Sequence, residues 1–429
     1  MRNIKGNRLI GNIISLIVLQ GSNYLFPVIT FPYLIRTLGV GNYGVLLFCV
    51  GMMQFLNIFI DYGFNISGTK DISIHKHRMD KVNEIYNMIL TIKIMFVLIV
   101  GIVYFSLVIT VPFFSEHRTT FLLSFLIIIG NTLFPLWLYQ GLERMKYITY
   151  FNLMVKAFVT LLIFIFIKNT NDLNLAVIFQ TFYFILPAII SIFFVKIKLK
   201  IHYKTVRDIQ KIKDELNRGK HIFMTTLWIN FYSQGPIILL GFISGSRATG
   251  NFGIGEKVQG AFYGLTQPFT QALYPYLCDL YENKRGQFYL FKRKLLGLGL
   301  LFSIIIGITL FAFSEPIATI VSGKKDSALV SLIGVFSIVV FFSTANTLMA
   351  RIMHAVSLSH VLNKGYSVAA IVFVVFSIPL TIVFREFGMA AAVFLAEGTV
   401  FIFNIRHVIQ IKPTEMFHSP SQKEWVSGG

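Results

Sequence analysis

Long apolar stretches alternate with short polar segments along almost the whole chain, from residue 10 to residue 409. A helix needs about 20 mostly apolar residues to cross the hydrocarbon core of a bilayer. The stretches that meet this length are 10–34, 44–63, 87–111, 121–140, 148–167, 174–195, 221–243, 252–277, 295–313, 328–350, 365–384 and 388–409. The pattern therefore predicts an all-α integral membrane protein with about twelve transmembrane helices. Composition agrees, because 55% hydrophobic and 13% charged residues are atypical of a soluble domain.

Basic residues fall mainly into alternate polar segments. If the N-terminus is cytoplasmic, 28 of the 38 Lys and Arg residues lie in segments on the inner side and seven in segments on the outer side. Because cytoplasmic loops carry an excess of Lys and Arg, the distribution predicts cytoplasmic N and C termini and a multi-pass protein of the cell inner (plasma) membrane. This topology also explains the formal charge of +19, so nucleic acid is not an expected partner.

The longest hydrophilic segment, 196–220, lies in the middle of the chain. It predicts a basic cytoplasmic linker between two six-helix lobes, 1–195 and 221–410, with a cytoplasmic tail at 411–429. The linker's apolar residues recur at helical spacing, which is consistent either with an amphipathic helix on the anionic inner leaflet or with an ordinary loop.

A short internal repeat supports the division into lobes. The sequence GNYGV at 41–45 and the sequence GNFGI at 250–254 occur at the same point of the two halves. Parallel repeats that enclose a substrate path between them are a common plan among transporters.

Motifs for nucleotide or metal chemistry are weak or incomplete. Gly39, Gly41 and Gly44 form a G-x-G-x-x-G pattern, but it follows an apolar span and not the strand that a dinucleotide site requires. His75 and His77 have no nearby Cys or acidic residue, so no metal site and no cofactor are expected. The short outer segments also lack the carboxylate-rich loop of a membrane glycosyltransferase, and the chain is not expected to be an enzyme.

Lys93, Lys156, Lys257 and Glu397 are among the ionisable residues that lie within predicted spans. A charge near the membrane centre costs about 3 kcal/mol, so such residues usually face a cavity. Lysine binds phosphate oxygens as a point charge, and the three lysines are candidate anion contacts. Their long stems could instead carry the ammonium groups to the interface.

Further candidates lie near span ends. Arg36 and Arg351 end spans on opposite sides of the membrane, where a guanidinium group can bind a diphosphate or simply anchor the helix. Asp61 and Glu397 are candidates for coupling transport to a proton or Na⁺. Asp61 could instead pair with a nearby Lys, and Glu397 could be a neutral buried acid or the partner of a cavity lysine.

Several segments resemble the Wzx-type O-antigen flippases, in the polysaccharide transporter branch of the multidrug/oligosaccharidyl-lipid/polysaccharide exporter superfamily. The similar segments are LQGSNY at 19–24, PYLIRTLG at 32–39, DYGFNISG at 61–68, GNF at 250–252 with EKV at 256–258, and QALYP at 271–275. The resemblance covers most of the chain.

The resemblance implies a flippase of lipopolysaccharide biosynthesis with a cationic central cavity. It would move undecaprenyl-diphosphate-linked O-antigen repeat units from the cytoplasmic to the periplasmic leaflet by alternating access. Membrane lipids, the O-antigen polymerase and the chain-length regulator are the implied partners. The alternatives are a drug or lipid II exporter of the same superfamily and a membrane glycosyltransferase or polymerase.

Overall fold

The computed structural model describes residues 2–264 and 266–411, and within these ranges the regular structure is helical, without β-strands. The helices are α1 (Arg2–Asp61), α2 (Phe64–His75), α3 (Met79–Thr110), α4 (Arg118–Ser124), α5 (Leu126–Leu133), α6 (Leu136–Gly141), α7 (Met145–Phe166), α8 (Leu173–Lys198), α9 (Ile209–Gly264), α10 (Gln267–Asn283), α11 (Arg285–Ala312), α12 (Ser314–Ser322), α13 (Ser327–Ala355) and α14 (Ser359–Gln410). Short 3₁₀ turns at Pro112–Phe114 and Thr170–Asp172 complete the described chain. The all-α prediction is confirmed.

Eight helical segments of the described chain are long and apolar enough to cross a membrane. They are Leu25–Asp61, Met79–Thr110, Arg118–Gly141, Met145–Phe166, Thr170–Lys198, Arg285–Ala312, Ser327–Ala355 and Ser359–Gln410. The seventh and eighth predicted spans fall on α9 and α10, which are outside this set.

Three long helices contain a sharp kink. The backbone leaves helical geometry at Gly39 in α1 (φ 79°), at Gly245 in α9 (φ 81°) and at Arg385 in α14 (φ 52°). Glycine adopts positive φ without steric cost, whereas Arg385 does so with backbone strain. Each kink falls between two predicted spans, so a pair of spans forms one helix with two arms.

Two predicted spans are broken. The stretch 121–140 forms parts of three short helices, and Pro135 separates α5 from α6 because it cannot donate a helical backbone hydrogen bond. The stretch 252–277 is divided between α9, which ends at Gly264, and α10, which begins at Gln267. Neither stretch forms one continuous helix in the described residues, although Arg118–Gly141 is still long and apolar enough to cross a membrane.

The linker packs on the first half of the chain. Its residues 201–208 are non-helical, and the backbone N–H groups of Lys204 and Val206 donate to side chains of α3, Asn87 Oδ1 (3.0 Å) and Thr91 Oγ1 (3.2 Å). From Ile209 the linker continues directly into α9, and the buried Ile212 belongs to the apolar core of the first half. Ile212 and Leu216 of the predicted amphipathic helix therefore contact protein, whereas Ile209 is exposed.

Glycines bring the two halves into close contact where α1 crosses α9. A Cβ atom at Gly44 would overlap the carbonyl oxygen of Ser246, and one at Gly250 would overlap the carbonyl oxygen of Val40. Two turns of helix farther on, a Cβ at Gly51 would lie 3.0 Å from Cγ2 of Ile237. Small residues allow helix backbones to approach closely in membranes. The two copies of the internal repeat thus meet at this crossing.

The apolar core differs between the two ends of the helix bundle. Near the glycine crossing, one cluster combines Leu38 of the first half with Ile254 and Ile333 of the second. At the end that the charge pattern assigns to the cytoplasm, the cluster around Trp137 belongs to the first half and the linker, and the cluster around Met349 belongs to the second half. The halves therefore share their core mainly at one end.

Candidate functional site

A cavity of about 470 Å³ lies within the first half of the bundle. Both arms of α1 line it, together with α5, α7 and α8, while α9 of the second half contributes Lys257. Pro27 of α1 and Pro187 of α8 lie in its wall. Proline removes a backbone hydrogen bond and bends a helix, which helps these apolar helices enclose a space.

Two cations from different halves line this cavity. Lys156 lies 11 residues after Met145, the first residue of α7, which places it about 16 Å along the helix axis. Lys257 belongs to α9 and is exposed. Two like charges sharing one cavity make it a strong site for an anion.

Amide and aromatic side chains form the rest of the functional wall. Gln54, Asn131, Asn152 and Gln180 line the cavity on four different helices. An amide group can both donate and accept hydrogen bonds, which suits a ligand rich in hydroxyl groups. Phenylalanine and tyrosine rings line the cavity beside these amides, and they are Phe26, Phe31, Phe134, Phe184, Tyr43 and Tyr183. Sequence reasoning missed the amides, although an amide inside an apolar span is a recognisable signal.

Lys93 and Asp61 form a buried ion pair away from the cavity wall. Lys93 Nζ lies 3.0 Å from Asp61 Oδ1, and the side chains are 3% and 10% exposed. Asp61 Oδ2 also accepts a hydrogen bond of 3.4 Å from the backbone N–H of Asn65. The structure thus brings together two residues that the sequence suggested for different roles, and joins the end of α1 to α3.

The two arginine candidates lie at opposite ends of the bundle. The Arg36 guanidinium group donates to the backbone carbonyl of Ile320 on α12, so it links the first half to the second beside the glycine crossing. Arg351, near the end of α13, lies over the ring of Tyr274 with Cζ 6.0 Å from the centroid. Neither arginine is among the residues that line the 470 Å³ cavity.

Glu397 belongs to a polar row inside the second half. Its Oε2 atom and its backbone carbonyl accept hydrogen bonds of 2.8 and 3.1 Å from Asn346 Nδ2. Thr347, the residue after Asn346 in α13, also contacts α9. Its hydroxyl oxygen lies 2.9 Å from the hydroxyl oxygen of Tyr263. Such bonds between helices hold membrane bundles together, and here they surround a carboxylate at membrane depth. Across the described residues, no group of three His, Cys, Asp or Glu side chains is arranged to hold a metal ion.

Long apolar helices around a polar, cationic cavity define a polytopic membrane transporter. A family model described as "Polysaccharide biosynthesis protein" matches residues 9–281. Over 401 residues the chain is 31% identical to a protein of Escherichia coli (strain K12) named "Putative O-antigen transporter", covering 91% of this chain and 94% of that one. A protein of the same name from Shigella dysenteriae is 28% identical over 410 residues, covering 92% and 99%.

The fold is also that of a solved flippase. The structure entitled "Lipid II flippase MurJ, inward closed conformation" superposes with a TM-score of 0.67 at 14% sequence identity, covering 93% of this chain and 87% of that one. The chain belongs to the polysaccharide biosynthesis protein family, and it is a Wzx-type transporter of the multidrug/oligosaccharidyl-lipid/polysaccharide exporter superfamily. The predicted family and the predicted plasma-membrane location are confirmed.

Proposed function

We propose that this transporter flips undecaprenyl-diphosphate-linked O-antigen repeat units from the cytoplasmic to the periplasmic leaflet. The observation that carries the proposal is the cavity in which Lys156 of one half and Lys257 of the other lie among four amide side chains. Ammonium groups suit the diphosphate, and amides beside aromatic rings suit the sugars. A small cationic drug would be repelled by the same lysines, which argues against the drug-export alternative.

The proposed topology has twelve crossings in two six-helix lobes, with both termini in the cytoplasm. The kinks at Gly39, Gly245 and Arg385 support this count, because each divides a long helix into two arms. In this orientation the glycine crossing and the shared apolar core lie toward the periplasm. The lobes would then admit substrate from the cytoplasmic side and separate at the glycine crossing to release it.

The site residues have distinct proposed roles. Lys156 and Lys257 contact the diphosphate directly, Arg351 receives it near the cytoplasmic end, and Arg36 meets it at the exit after releasing Ile320. Protonation of Asp61 would free Lys93 for the anion, so this pair is one proposed coupling device. Glu397, in its polar row, is the other.

The membrane potential alone supplies a driving force. Moving one negative charge outward across an inside-negative membrane releases about 2.3 kcal/mol per 100 mV. A diphosphate carrying two charges would gain about 4.6 kcal/mol per 100 mV on the same basis. Directional export therefore needs only a cavity that lowers the cost of removing the diphosphate from water.

The test is the fate of lipid-linked repeat units in a deletion strain. Mass spectrometry of inner-membrane vesicles should find single intact units trapped on the cytoplasmic face, and the wild-type gene should clear them. A plasmid carrying Lys156→Ala should fail to clear them, while one carrying the lipid-facing change Ile308→Ala should succeed. Unpolymerised units on the periplasmic face would indicate a polymerase, and no accumulation would contradict the proposal.

A further inference from the structure

A second, apolar groove lies in the other half of the molecule, between α10, α11 and α13. It has a volume of about 250 Å³. Phe269 and Leu298 form its rim and are 67% and 66% exposed, so the groove opens toward the surrounding lipid. Its wall also includes the small residues Gly299 and Ser303 and the buried Thr344.

The groove lies within the predicted membrane-spanning part of α11. Gly299 and Ser303 follow residue 295, where the ninth predicted span begins, by 4 and 8 residues, or about 6 to 12 Å along the helix axis. The hydrocarbon core is about 30 Å thick, so this part of the groove lies in its cytoplasmic half. An occupant at that depth is expected to be an apolar chain.

A cation marks the cytoplasmic end of the groove. Leu348 of α13 and Leu273 of α10 line it. Arg351 follows Leu348 by one helical turn, and its guanidinium lies over the ring of Tyr274, the residue after Leu273. An occupant with an apolar chain and an anionic head at one end would therefore match both parts of this surface.

The buried wall contains one polar atom without a protein partner. The hydroxyl of Ser303 donates to the carbonyl of Gly299 at 2.8 Å, so it is satisfied within α11. The hydroxyl oxygen of Thr344 is buried and has no hydrogen-bond partner among the described residues. The groove wall thus offers an occupant mostly apolar contacts, which favours a hydrocarbon chain.

We propose that this groove binds the polyprenyl chain of the lipid carrier, with the diphosphate end at Arg351. The inference rests on the proposed function, since that function supplies a substrate with one apolar chain and an anionic head. The proposed carrier has one apolar chain, whereas a bilayer phospholipid has two. Chain and sugars would accordingly be held by different halves, the chain in the second half and the oligosaccharide in the first.

Photo-crosslinking to undecaprenyl diphosphate without sugar tests the groove directly. The full chain, with p-benzoylphenylalanine in place of Phe302, an aromatic residue of the groove wall, is placed in phosphatidylethanolamine and phosphatidylglycerol vesicles that contain this probe. The matched control carries the photoreactive group at Ile308, which is on the same helix and 63% exposed. The ratio of polyprenyl to phospholipid adducts should be at least about tenfold higher at Phe302, which corresponds to about 1.4 kcal/mol. Equal ratios at the two positions would overturn the proposal.

Filling the groove tests its role in transport. Ser303→Phe should abolish clearance of lipid-linked units, whereas Ile308→Phe should leave it intact. If Ser303→Phe fails to reach the membrane, Ser303→Val fills less of the groove and can be used instead. With the photoreactive group at Phe302, this variant should form fewer polyprenyl adducts than the protein that retains Ser303. Unchanged adducts and unchanged clearance in a correctly inserted variant would overturn the proposal.

The two proposals can fail separately. The sugar-free probe reports on the groove whether or not the chain transports O-antigen units. Preferential polyprenyl adducts at Phe302 without accumulation of units in the deletion strain would retain the groove and reject the proposed function. Accumulation of units with equal adduct ratios would retain the function and reject the groove.

Discussion

The ion pair between Lys93 and Asp61 makes a quantitative prediction about stability. The atoms Nζ and Oδ1 are 3.0 Å apart, and the side chains are almost fully buried. At an effective dielectric constant of about 20, two unit charges at that distance attract by about 5.5 kcal/mol. Removal of one partner leaves the other charge buried and unpaired, which costs about 3–5 kcal/mol. Lys93→Met and Asp61→Asn should each destabilise the protein by about that amount.

A double-mutant cycle separates the pair from its surroundings. The double variant Lys93→Met with Asp61→Asn should recover most of the loss, because no uncompensated charge remains. The coupling energy should therefore be at least as large as either single effect, about 3–5 kcal/mol. Equilibrium unfolding in mixed detergent and lipid micelles measures these differences. Lys325→Met, which breaks the exposed pair with Glu315 at 2.8 Å, is the matched control and should have a much smaller effect because solvent screens that pair.

Two results would refute this reasoning. The first is a loss in the free energy of unfolding of the Lys93 or Asp61 single variants that is no larger than the loss in the Lys325→Met control. The second is additive effects in the cycle, which would mean that the two charges do not interact. Export by a folded double variant distinguishes two roles of the pair. If the pair is structural, clearance of lipid-linked units should return in the double variant. If Asp61 couples transport to protons, clearance should stay lost.

Three further predictions concern the lobe interface and the cavity. Gly44→Ala should lower the free energy of unfolding by about 1–3 kcal/mol through overpacking, and it should impair export. Gly41→Ala should be tolerated, because its added Cβ meets nothing within 4 Å. Unfolding in micelles measures the stability of both variants, and clearance of lipid-linked units measures their export. Lys156→Ala should lower export at least about tenfold, since a hydrogen bond to a charged group contributes about 1.5–3 kcal/mol. Lys156→Arg should retain part of the export in the vesicle assay. Equal export by the two variants would contradict an anion contact. Arg36→Ala should loosen the contact with Ile320. An impermeant reagent added from the periplasmic side should then label a cysteine introduced into the cavity more rapidly. Unchanged labelling would contradict a gate at the contact between Arg36 and Ile320.

The candidate site was predictable only in part. Lys93 and Lys156 look alike in the sequence, since each is a lone cation inside an apolar span. The structure pairs Lys93 of α3 with Asp61 at the end of α1, whereas Lys156 of α7 lines a cavity that α1, α5 and α8 also enclose. Partners of this kind come from residues far apart in the chain, and no local pattern encodes them.

The internal repeat shows the same division between local pattern and long-range contact. Its two copies were visible as similar pentapeptides and supported a two-lobed plan, but their physical use was hidden. In the folded chain Gly44 and Gly250 permit a crossing that a single methyl group would block. A glycine's missing side chain matters only in relation to the backbone that approaches it.

Membrane insertion and helical class follow from local properties of the chain. Apolar length, the scarcity of charge and the spacing of Lys and Arg act span by span, since each helix satisfies its own backbone hydrogen bonds and partitions into lipid. The helix break at Pro135 is local as well, because proline lacks the backbone donor. The ion pair at Asp61 and the choice of cavity residues depend on how the helices pack. Lipid solvates all apolar faces alike, so packing between helices relies on shape and polar contacts, and these exist only once the helices have come together.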